Sequence, residues 1–72
     1  MIHPYENLGN GIILQAVRDY RWAWSKHKQH PGNKEAKLIM EDCERFFRSS
    51  WYSALTSIDG EKLIEKLKEE LR

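Results

Sequence analysis

The sequence predicts an all-α domain: a small three-helix arrangement built on an antiparallel helical hairpin, with a short extra helical turn near residues 51–55. Three observations predict it. Apolar residues recur at helical spacing in three separate stretches. A Pro31-Gly32 pair separates the first two stretches by so few residues that they must lie antiparallel. Asparagine or aspartate stands where each helix should begin.

The first helix is expected over Ile12–Lys28, and the other segments pack against it. At about 100° per residue, Ile13, Ala16, Val17, Tyr20, Trp24 and His27 share one face, with Ile12 and Ala23 at its edge. Trp22 points away from that face, among Arg18, Gln15 and Lys26. Ahead of the helix, residues 1–6 read as an extended lead-in, with Tyr5 placed to cover the core edge. Asn7 and Asn10 both suit the N-cap, because a short side-chain oxygen can accept from a free backbone N–H. Gly9 and Gly11 each cost about 1 kcal/mol inside a helix, so the sequence leaves both caps open.

Pro31 ends the first helix, because His30 before it is pushed away from helical angles. Pro31-Gly32 matches the central pair of a type II turn, with Gly32 at positive φ. Asn33 then caps a second helix from Lys34 to about Arg48, whose apolar face is Ala36, Ile39, Met40, Cys43, Phe46 and Phe47. Glu41–Arg45 and Glu44–Arg48 are i,i+4 pairs in the favoured orientation. Ser49-Ser50 weaken the helix, yet the stripe continues in register through Trp51, Ala54, Leu55 and Ile58. Either the helix breaks and resumes over Trp51–Leu55, which is favoured, or it runs on. Asp59 is a good cap for the last helix, with Ile58 and Leu63 placed for a hydrophobic staple. Leu63, Ile64, Leu67 and Leu71 form that helix's narrow apolar stripe.

Length and composition bound the rest. Seventy-two residues make one domain. A core of this size supplies roughly 3–5 kcal/mol without a staple, so a second subunit is a natural source of further stability. Twelve basic against eleven acidic residues give +1, too balanced to imply a polyelectrolyte partner alone. Cys43 is the single cysteine and cannot form an intramolecular disulfide, which favours a reducing compartment. The first residues show no secretory pattern, and no apolar run nears the ~18 residues of a membrane span. The expectation is a cytoplasmic protein with no membrane contact.

Catalytic and metal chemistry find little footing. His27, His30 and Cys43 lack a fourth ligand, and the two histidines sit closer than zinc sites usually place them. Asp59-Gly60-Glu61 matches part of a calcium loop but lacks its other acids, so it reads as a cap. Glu41, Asp42 and Glu44 have basic partners at helical spacing. No cofactor and no enzymatic activity are expected. Arg18, Arg21, Lys26, Lys28 and Lys34 stand against Asp19 alone over residues 18–34. With Trp22 and Trp24 among them, this stretch offers phosphate contacts and base stacking, the competing function. Trp22 supports the preferred one. Exposed tryptophan suits a binding hot spot, which makes Trp22, Leu14, Arg18, Gln15 and Lys26 the candidate partner site, for another protein or for a second copy in a homodimer.

NLGNGIILQAVRDYR at residues 7–21 and ERFFRSSWYSALTSIDGEKLI at residues 44–64 together resemble small uncharacterised proteins of prophages and conjugative elements of Gram-positive bacteria. The FFRSxWYxxLTxIDGExLI pattern carries most of the likeness. The resemblance implies a mobile-element origin and transfers no functional residue. Small proteins of such elements often act by binding host or element proteins, some as inhibitors, which is an analogy of class.

Overall fold

Asn10 sets the start of the first helix. Its side-chain oxygen accepts from the backbone N–H groups of Ile12 and Ile13 at 3.0 and 3.3 Å. The computed structural model describes residues 10–72, so Asn7, Tyr5 and the lead-in over residues 1–6 lie outside the described residues. Helix α1 (Gly11–Gln29) ends with Lys26, His27 and Lys28 in its last turn, where positive charge suits the helix dipole. The Asn33 N–H donates to the His30 carbonyl at 2.8 Å and closes the turn. Gly32 does not take the positive φ of a type II turn. Proline's fixed φ at the second turn position serves a type I turn equally well, and that turn needs no left-handed residue.

Helix α2 (Lys34–Phe47) is capped by Asn33, which accepts from the Ala36 N–H at 3.1 Å. Ala36, Cys43 and Phe47 are buried, and Ile39, Met40 and Phe46 pack beside them. The helix breaks where two serines compete with it. The Ser49 hydroxyl donates to the Phe46 carbonyl at 2.6 Å and accepts from the Tyr52 N–H at 3.2 Å. One side chain thus closes α2 and opens α3 (Ser50–Leu55).

This break overturns the continued stripe. The extended backbone at Ser49 (φ −80°, ψ 160°) resets the helical phase. Tyr52 turns inward and is fully buried, while Trp51, Ala54 and Ile58 face solvent. Tyr52 packs edge-on against Phe46 and Phe47, with ring centroids 5.8 and 5.9 Å apart. Helix α4 (Gly60–Leu71) begins at Asp59, which accepts from the Glu61 N–H at 2.9 Å. Ile58, placed by the sequence for a staple on Leu63, remains 42% exposed, while Leu63 is buried in the core. Gly60 touches the end of α2 so closely that a Cβ there would overlap the Phe47 carbonyl.

The core gathers Ile13, Val17 and Tyr20 of α1, Cys43 and Phe47 of α2, Tyr52, and Leu63, Ile64 and Leu67 of α4. The buried face of α1 is rotated from the expected one. Ala23 is fully buried and Trp24 only half so. Ala36 on α2 is fully buried too, and small residues let two helices approach closely near their turn. Helix α4 lies against both members of the hairpin. Arg21 pairs with Glu70 at 3.2 Å, and Arg48 pairs with Glu61. Glu44–Arg48 forms as expected at 3.5 Å, but Arg45 takes Asp42 at 3.0 Å instead of Glu41. No helix of the described residues is long and apolar enough to cross a membrane.

Candidate protein-binding face

With α4 seated on one side of the hairpin, the described residues leave the other side open. An open groove of about 510 Å³ runs there between α1 and α2. Ala16, Cys43 and Phe46 form its apolar floor, Ile12 and Trp51 its end, and Asp19 and Asp42 its rims; no α4 residue lines it. Helical spacing carries both rims onward. Trp22 lies three residues after Asp19, and Leu38 four residues before Asp42. Counted from the closed turn, Trp22 is eight residues before His30 and Leu38 five after Asn33, a level difference of about 4.5 Å at 1.5 Å per residue. Ile12, Trp22, Leu38 and Trp51 are 46, 50, 59 and 57% exposed. They are four of the five large exposed hydrophobic residues among those described, Ile58 being the fifth.

The polar groups on this face are held in place. The Gln15 amide donates to Asp19 at 2.9 Å. The Lys26 ammonium lies 5.9 Å from the Trp22 ring centroid, within cation–π range. Burial pushes the Cys43 thiol up to about 11 from its usual 9.0, with the Asp19, Asp42 and Glu44 carboxylates adding to it. At neutral pH this cysteine is a protonated packing group and not a nucleophile.

The structure divides the sequence-predicted partner set. Trp22, Gln15 and Lys26 come to the open face. Leu14 is half-buried and lies seven residues before Arg21, hence on the side that meets α4 through Glu70. Arg18 is exposed on the solvent side between them. The basic set does not form one strip. Arg21 and Lys28 share the α4 side of α1, Arg18 its outer side and Lys26 the groove side, while Lys34 opens α2. His27 lines a second pocket with Trp24, Met40 and Leu71, away from Cys43. Among the described residues no three potential metal ligands cluster.

Sequence reasoning missed Leu38, Trp51 and Phe46 as parts of a face. Leu38 carried the same signal as Trp22, an apolar residue off its helix's stripe. Trp51 was hidden by the phase change at Ser49. No known family, curated protein or solved structure matches the chain.

Proposed function

We propose that this chain is a non-enzymatic protein-interaction module of a prophage or other mobile element, acting in the cytoplasm through its open α1–α2 face. One observation carries this reading: exposed Ile12 and Trp51 end an apolar groove, and helical spacing carries its two rims on to exposed Trp22 and Leu38. Apolar residues scattered singly over a surface are ordinary, whereas a contiguous apolar patch marks an interface. The resemblance of residues 7–21 and 44–64 supports the mobile-element origin, and inhibition of a host protein is one form such an interaction takes. The dispersal of the basic side chains around α1 supports a protein partner over a nucleic acid.

Site-specific photo-crosslinking in cells that carry the gene tests it. A benzophenone amino acid replaces Leu38 on the open face or Lys66 on the exposed side of α4. Adducts at position 38 and none at position 66 are expected. Equal yields at the two positions would remove the reading.

A further inference from the structure

Both helices of the open face carry an apolar residue flanked by opposite charges at helical spacing. On α1 the order is Asp19, Trp22, Lys26; on α2 it is Lys34, Leu38, Asp42. Because the helices are antiparallel, the two orders match in space. Asp19 and Asp42 line the same groove at one end of the face. Lys26 and Lys34 lie at the other end, on the last turn of α1 and the first residue of α2. The exposed apolar pair Trp22 and Leu38 sits between.

From this pattern we propose that the face takes a second copy of this chain, antiparallel about a twofold axis crossing α1 near Trp22 and α2 near Leu38. The proposal rests on the interaction reading above and names its partner. A twofold interface must be self-complementary, each residue i that meets j being mirrored by j meeting i. The axis supplies this. Trp22 and Leu38 meet their own symmetry mates at the centre. Asp19 of each copy faces Lys26 of the other, and Asp42 faces Lys34, so every pair is made twice. Glu35 beside Lys34 and Arg45 beside Asp42 reduce the net charge of each end, so complementarity lies in residue-to-residue pairing. The Asp42–Arg45 contact at 3.0 Å is on exposed side chains and can persist as the third member of that pairing.

About an axis at Trp22 the two copies overlap over residues 15–29 of α1, about 22 Å. Two packed helices present a face about 20 Å wide, so each copy contributes about 440 Å², below the roughly 600 Å² each partner contributes at the lower end of standard interfaces, as suits a dimer that forms only at the upper concentrations. The small core gives such a dimer a thermodynamic purpose, since binding of a partner stabilises the folded state.

Sedimentation velocity of the full chain, from ~1 to ~100 µM, tests the arrangement. Wild type should sediment at twice its 8.6 kDa mass at the upper concentrations. Asp19→Lys alone and Lys26→Asp alone each set like charges against each other twice, and each should weaken dimerisation at least tenfold. An equimolar mixture of the two variants should recover it, because every acid then meets a base again. That recovery also shows that both variants are folded. A wild type that stays at 8.6 kDa over the range overturns self-association, while the reading of the face as a protein interface still depends on the position-38 crosslinks. A dimer that ignores both reversals, or a mixture that does not recover, overturns the antiparallel arrangement.

Discussion

Tyr20 and Tyr52 are both fully buried, yet removing their hydroxyl groups should have opposite consequences. The Tyr20 hydroxyl donates to the Glu44 carboxylate at 2.7 Å, joining α1 to α2. A hydrogen bond to a charged acceptor contributes about 1.5–3 kcal/mol. Tyr20→Phe does not strand the carboxylate, because Glu44 keeps Arg48 at 3.5 Å and 21% of its side-chain surface. The expected loss is therefore about 1.5–2 kcal/mol, at the lower end of that range. In a chain of this length it corresponds to a fall in Tm on the order of 8–12 °C. Tyr52 gives the control. Its hydroxyl is buried with no hydrogen-bond partner among the described residues. An unsatisfied buried hydroxyl costs about 1–3 kcal/mol, so Tyr52→Phe should leave stability unchanged or raise it by about 1 kcal/mol. Thermal unfolding followed by circular dichroism, with all three proteins at one concentration, makes the comparison; concentration matters because association adds to apparent stability. A neutral Tyr20→Phe would mean that the bond to Glu44 contributes nothing. A Tyr52→Phe that loses more than about 1 kcal/mol would mean that its hydroxyl has a partner.

Four further outcomes are expected. Stability should fall as pH rises past 9, because burial raises the Cys43 pKa from 9.0 to about 11 and raises those of Tyr20 and Tyr52 above 10.0; the unfolded chain then loses protons that the folded one retains, which gives stability a negative slope with pH, measurable by urea titration at stepped pH. Gly60→Ala should cost about 1–3 kcal/mol, since the new methyl group meets the Phe47 carbonyl and α4 must shift; an unchanged urea midpoint would contradict that close approach. Trp24→Ala should cost about 2–3 kcal/mol, less than a fully buried tryptophan, because Trp24 is half-buried against Tyr20 at 6.0 Å, whereas Trp22→Ala should leave the melting point of a demonstrated monomer within about 0.5 kcal/mol of wild type. Gel-shift titration with DNA and RNA at low salt should show no complex at ~10 µM protein, and a salt-sensitive shift would restore the basic stretch of residues 18–34 as the working surface.

The helices and their caps were legible because their causes are local. Asn33, Asp59 and the serine pair act within three residues of themselves, and the structure places each helix end within a residue or two of the expected one. Features that depend on what packs where were not legible. Ala23 reads as an edge residue on a helical wheel, and only the close approach of α2 makes it core. Trp51 and Tyr52 are adjacent and both aromatic, so their burial depends wholly on the phase that Ser49 imposes. The turn type escaped because Pro31-Gly32 fits two turns, and Gly32 tolerates both. Of the candidate site, Trp22 was visible as a residue out of place. Its companions across the hairpin were not, because no pattern within one helix says which side of a helical pair the third helix will cover.

The recessed position of Cys43 has a consequence for chemistry outside the fold. Its sulfur lies at the bottom of a groove that otherwise offers apolar surface to any visitor, and the thiolate form is disfavoured there. Oxidants and disulfides react with thiolates in reach, so this site resists both. A disulfide between two copies is disfavoured, because the thiolate it needs is disfavoured in each of them. The apolar groove is therefore not readily locked to itself or to another protein through this thiol.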